Sequence, residues 1–239
     1  MFEQKRSGFF GGLPTITKNI IIINFICWLA EFVFAKRGIE IVDILGLHFF
    51  MSQDFKLYQF ITYMFMHDPN GFTHVLFNMF AVFMFGPTLE NLWGSKRFLI
   101  YYTITGIGAG IIQQLAWAFD YRDLLTHAAM QVNIGTGIIS QIEFFNMLPP
   151  TIGASGAVFG ILLAFGMLFP NVQLMLLFPP IPMKAKWFVI GYGLIELFLG
   201  VANFAGDNVA HFAHLGGMLF GIILILYWRK KDKAHGNYN

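Results

Sequence analysis

Six apolar stretches recur along the chain, at 20–34, 73–89, 98–119, 154–169, 186–203 and 208–228. Hydrocarbon offers no water to unpaired backbone N–H and C=O groups, so a spanning segment must satisfy its own as a helix or close into a barrel. No segment alternates apolar and polar residues in the manner of a membrane barrel strand. The expected fold is therefore an all-α membrane protein, a bundle of six transmembrane helices. Charge content agrees: 12% of the 239 residues are charged and 56% hydrophobic, with a mean hydropathy of +0.63. A soluble domain carries about 25% charged residues. The lipid bilayer is thus the first expected partner, and no nucleic-acid partner is expected. The single cysteine, Cys27, excludes an intrachain disulfide and a thiolate metal site; it reads as a small buried hydrophobe.

Basic residues set the orientation. With the N-terminus in the cytoplasm, eleven Lys and Arg fall on that side (Lys5, Arg6 and Lys18 among them) and four, Lys36, Arg37, Lys56 and Arg122, on the other. Both termini are expected inside, as for a protein of the bacterial inner membrane. The chain divides into a cytoplasmic N-terminal segment at 1–19, a membrane domain at 20–228 and a basic tail at 229–239. No small-x-small cleavage site follows the first span, which reads as an uncleaved anchor. The two long outer connections run over 35–72 and 120–153. The first holds Leu47-His48-Phe49-Phe50-Met51 and is expected to lie in the membrane interface. The fourth span has about 16 residues, or ~24 Å of helix against ~30 Å of hydrocarbon. Pro149-Pro150-Thr151-Ile152-Gly153 before it is then irregular chain at membrane depth, tolerated where it lines a polar cavity.

Polar groups inside spans are costly and usually functional. Ser155 opens the short fourth span within Gly153-Ala154-Ser155-Gly156, where free backbone N–H groups and the positive helix end would meet an oxyanion. By itself it reads as an N-cap beside the small-residue face of Gly156 and Gly160. His214 lies about six residues into the last span, with His211 one turn earlier as a supporting or mouth residue. Gly217 and Gly221 form a second close-packing face. His74 and Asn78, spaced i and i+4, share one face of the second span, and His67 precedes it, placed to hold the first outer loop. Each histidine alone reads as a satisfied core residue. Parity joins them: spans two, four and six run the same way, so their first turns share one depth. A hydroxyl, an imidazole and a pair of donors at one level suit nucleophilic acyl transfer.

These stretches resemble the rhomboid family of intramembrane serine proteases: Gly153-Ala154-Ser155-Gly156, Ala213-His214-Leu215-Gly216-Gly217 with Gly221, His74 with Asn78, and Glu90, Gly94 and Arg97-Phe98 at the second-to-third junction. The resemblance covers about 60–228. It implies a six-helix rhomboid-like bundle with a short central serine helix around a wet cavity. It implies a Ser-His dyad with no carboxylate in a third role: Ser155 as nucleophile and His214 as base. The Ser155 N–H, His74 and Asn78 would form the oxyanion hole, and Phe159 would stack on His214. It further implies no cofactor and no metal, and single-pass transmembrane proteins as substrates. Where many members carry Trp-Arg in the first outer loop, this chain has Tyr58-Gln59, which removes an arginine that would tie that loop. Three rivals remain. An inactive client-binding relative would lack the serine or the histidine. A transporter would use intramembrane carboxylates, for which Glu31 and Glu196 are the candidates. A metalloprotease would need His-Glu-x-x-His, absent here.

Overall fold

A computed structural model describes residues 12–126, 131–175, 180–202 and 209–234. The molecule is mostly helical. Its helices are α1 (Thr15–Ala35), α2 (Ile41–Leu45), α3 (Gln59–Thr62), α4 (Phe72–Asp120), α5 (Arg122–Thr126), α6 (Gln141–Met147), α7 (Ser155–Leu168), α8 (Ala185–Ala202) and α9 (His211–Ala234). Among the described residues four of these, α1, α4, α8 and α9, are long and apolar enough to cross a membrane. Two short antiparallel hairpins lie between helices: β1 (Gln131–Asn133) with β2 (Ile138–Ser140), and β3 (Gln173–Met175) with β4 (Pro182–Lys184). The expected span ends at 203 and 208 lie outside the described residues.

The 49-residue α4 is not one rod. Gly94 (φ 77°, ψ 156°) breaks it into arms of residues 72–93 and 95–120, in a conformation that glycine adopts without a Cβ penalty. Contacts show that the arms run back to back. Helix α7 lies parallel to the first arm, with Gly153 against His74 and Phe165 against Phe85. It lies antiparallel to the second, with Gly156 against Ala109 and Gly160 against Thr105. Likewise α9 runs parallel to α7, Gly217 facing Gly156 and Gly221 facing Leu163. Helix α8 runs antiparallel to it, Val189 beside Gly166 and Tyr192 beside Phe159. The first arm, α7 and α9 therefore begin at one end of the bundle.

Helix α7 is the hub. Every residue from Gly156 to Gly166 is buried, as expected of a helix that is apolar all round. Its 14 residues give ~21 Å, even less than the sequence estimate. The outer helices turn apolar residues outward instead: Ile26 and Leu29 on α1, Leu115 and Phe119 on α4, Phe198 and Val201 on α8 are all exposed. Such a surface is stable against lipid and not against water. Cys27 sits half-buried on α1, not in the core, because α1 packs by one narrow face.

At the end away from the α7 N-terminus, Glu90 gathers the chain. Its carboxylate accepts from Ile16 N (2.9 Å), Thr17 N and Thr17 Oγ1 (both 2.8 Å) and Ser95 Oγ (2.6 Å). It thus caps α1, satisfying first-turn donors at the positive helix end, which is why α1 begins at Thr15 and not at 20. At the same end Arg97 makes a two-point ion pair with Asp232 and lies over Trp228, and α9 extends to Ala234 accordingly.

The first outer connection packs one side against the bundle and leaves Phe50 and Met51 exposed. Leu47, His48 and Phe49 are buried, with Phe49 among Trp117, Tyr121 and Phe145. It does not lack a tie. Gln59 is fully buried; its Oε1 accepts from His48 N and Lys56 N, and its Nε2 donates to the Ile44 and Asp54 carbonyls. Gln114 of α4 adds bonds to Phe50 N and the His48 carbonyl. A neutral amide, donor and acceptor at once, performs here the tethering for which an arginine seemed missing. The second connection meets it through α6, where Phe145 packs on Phe49 and Asn146 Oδ1 accepts from Ser52 Oγ and Gln53 N.

Candidate active site

Three devices bring Ser155 into position. Leu47 and Thr151 exchange both backbone hydrogen bonds at 2.9 Å, fixing the irregular chain before α7. Gly153 N donates to the Tyr63 carbonyl. Gly153 itself adopts φ 118°, and a Cβ there would come within 2.8 Å of His74 Nε2. Only glycine meets both demands. Ser155 then opens α7, half-buried, with its N–H among the unpaired donors of the first turn.

His214 comes from α9. That helix starts at His211, so His214 falls in its first turn and not six residues down. A Cβ on Gly217 would collide with the Gly156 carbonyl oxygen; its absence lets α9 close onto α7 just below the serine. The outcome is a 2.8 Å contact between Ser155 Oγ and His214 Nε2. Phe159 lies flat on the imidazole, with centroids 4.3 Å apart and planes 7° from parallel.

The second imidazole nitrogen is also engaged. His214 Nδ1 lies 2.8 Å from Glu196 Oε2, and His211 Nδ1 lies 2.7 Å from the same oxygen. Glu196 reaches in from α8 and is buried, as are both histidines. The resemblance implied no carboxylate in a third role; this chain places one on the histidine. In the sequence Glu196 stood out only as an intramembrane carboxylate. Its depth matches that of His214, six residues from the end of α8, but nothing in the sequence says which neighbour it meets. The Glu196, His211 and His214 ligand-type atoms lie within 4.8 Å of one another.

The remaining site candidates cluster beside the serine. His74 packs against Gly153, next to Ser155 Oγ. Asn78 is buried and donates one amide proton to the His74 carbonyl at 2.9 Å, which leaves its second proton available. His67 is fully buried, with its ring edge-on to His74 at 5.0 Å. Its backbone N–H donates to both oxygens of Glu31, at 3.1 and 3.0 Å. Glu31 therefore ties α1 to the chain entering α4, and the two carboxylates weighed for a transport route, Glu31 and Glu196, are each committed to a local partner. Burial, reinforced by His74 nearby, pushes the His67 imidazole down to about 3.

Fold and site together define an integral membrane helix bundle holding a buried Ser–His–Glu chain of hydrogen bonds. A family model described as the rhomboid domain matches residues 54–231, and the chain belongs to the rhomboid family. Among named relatives, the putative rhomboid protease YdcA of Bacillus subtilis (strain 168) is 30% identical over 168 residues, covering 69% of this chain and 65% of that protein. Rhomboid protease AarA of Providencia stuartii is 25% identical over 231 residues, covering 92% of this chain and 75% of its own. The chloroplastic rhomboid-like protein 11 of Arabidopsis thaliana is 27% identical over 234 residues, covering 90% and 66%.

Proposed function

We propose that this chain is an intramembrane serine endopeptidase that hydrolyses peptide bonds in the transmembrane segments of single-pass membrane proteins. The carrying observation is the 2.8 Å contact between Ser155 Oγ and His214 Nε2, made by residues 59 positions apart on α7 and α9. In this reading His214 Nε2 accepts the hydroxyl proton as Ser155 Oγ attacks the substrate carbonyl carbon. The carbonyl oxygen becomes an oxyanion, held by the Ser155 N–H, His74 and the free amide proton of Asn78. His214 then returns the proton to the leaving amine, and an acyl-enzyme remains. Water, deprotonated by His214, attacks that ester and frees Ser155. Substrate helices must open to expose a peptide bond, so segments of weak helix propensity are favoured.

Counting the two arms of α4 separately, α1, both arms, α7, α8 and α9 make six spans. The excess of basic residues on one side supports cytoplasmic termini in a bacterial inner membrane, and in this reading the serine faces the opposite leaflet. The test is fluorophosphonate labelling in detergent. Wild type is expected to label, and Ser155→Ala and His214→Ala to remain unlabelled. Equal labelling of Ser155→Ala would refute the assignment.

A further inference from the structure

The dyad expected from family resemblance does not describe what this chain builds around His214. We propose that Glu196 is a positioning residue for the proposed reaction, a carboxylate that joins Ser155 and His214 as a third member and is shared between His214 and His211; the inference rests on the protease reading above. A carboxylate oxygen accepts hydrogen bonds and has none to donate. With Glu196 ionised, the two imidazole nitrogens at 2.8 and 2.7 Å from its Oε2 both carry protons. With Nδ1 of His214 protonated, the neutral ring presents its Nε2 lone pair to Ser155 Oγ, the tautomer a general base requires. Phe159 fixes the plane of the ring and Glu196 fixes its rotation within that plane.

The carboxylate also answers a charge problem. As His214 takes the serine proton it becomes a cation, within a site shielded from bulk water. A carboxylate in hydrogen-bond contact stabilises that imidazolium strongly at low dielectric. An ionised carboxylate left unpaired at this depth would itself be costly. His211 supplies the compensating second donor. The two histidines, one turn apart on α9, thus serve as base and counter-donor around one oxygen from α8.

Three readouts test the inference on the full-length protein in detergent or proteoliposomes. Glu196→Gln is expected to lower kcat about 10³-fold with KM little changed, since in triads of this type the wrong tautomer costs about 10⁴. Glu196→Asp, which keeps the charge, is expected to retain more activity than Glu196→Gln. Wild type is expected to show two far-downfield imidazole N–H proton resonances, one lost in His214→Ala and both lost or shifted upfield in Glu196→Gln, in variants whose melting temperatures report an intact fold. The resonances are read without turnover, and their presence in the wild type is tested without any variant. An active wild type whose Glu196→Gln variant keeps the wild-type kcat, or resonances that survive that substitution unshifted, would overturn the inference alone. Loss of wild-type turnover on chelation and its return with Zn²⁺ would make the trio a metal centre and overturn it too. An inert wild type overturns the protease reading and the inference with it.

Discussion

The separation of Ser155 from His214 is governed by an atom that is missing, the Cβ of Gly217. Its place is taken by the Gly156 carbonyl oxygen, so Gly217→Ala must push α9 away from α7. Overpacking of this kind costs about 1–3 kcal/mol, and an ångström of misplacement between reacting groups costs about 10²-fold in rate. The expected result is a lower melting temperature and a far larger fall in kcat than the loss of stability explains; an unchanged kcat would show that the close approach is dispensable. His74→Ala and Asn78→Ala are each expected to reduce kcat by up to about 10²–10³-fold, the usual worth of one oxyanion donor. Steady-state kinetics check this, and wild-type kcat in either variant removes that side chain from the hole. At this scale the sequence was informative where chemistry is local. Ser155 before a small-residue helix and His214 above Gly217 can be read from their neighbours. The partner of Glu196 cannot, because it depends on the rotation of α8 about its axis, which is set by Val189 against Gly166 and Gly193 against Met218.

Between the helices, the outer connections hold the serine at its depth, and side-chain amides make much of what holds the connections. Gln59→Leu strands the His48 and Lys56 N–H groups and the Asp54 carbonyl, and leaves the Ile44 carbonyl to the Tyr58 hydroxyl alone. Each buried group left unpaired costs about 1–3 kcal/mol. The variant is expected to melt lower and to be cut by added protease between α2 and α4, whereas wild-type stability would show that the other bonds suffice. His67 brings pH into the same region. Its imidazole titrates near 6.5 when unfolded and about 3 when folded, so the unfolded chain binds more protons between those values. The stability it contributes is therefore full above about pH 6.5 and is lost progressively as pH falls toward 3. Melting temperature should drop more steeply from pH 7.5 to 4.5 in wild type than in His67→Phe; parallel slopes would contradict this. None of these loop contacts was readable in advance. Tyr58-Gln59 suggested a looser loop because a side-chain amide with four partners looks, in sequence, like any surface glutamine.

Across the whole molecule, depth is the organising variable. The first arm of α4, α7 and α9 all start at one end, and their first turns supply His74, Ser155 and His214. That much followed from counting apolar stretches, since each helix in lipid must cross or stop short, and parity then fixes which ends meet. The shortness of α7 was legible from the same arithmetic. The bend at Gly94 appeared as a gap between spans, while its latch, Glu90 on the first turn of α1, joins residues more than 70 positions apart and was invisible to local pattern. The fold over 120–153 was equally hidden, because its aromatic packing involves Phe49 from another connection. What this architecture is claimed to do is cut a peptide bond within the bilayer. The direct test is to co-reconstitute the protein with a single-pass substrate in liposomes and locate the cut by mass spectrometry. The account predicts cleavage by wild type near the end of the substrate span at the depth of Ser155, and none by Ser155→Ala; equal cleavage by both, or a cut only in chain outside the membrane, would contradict it.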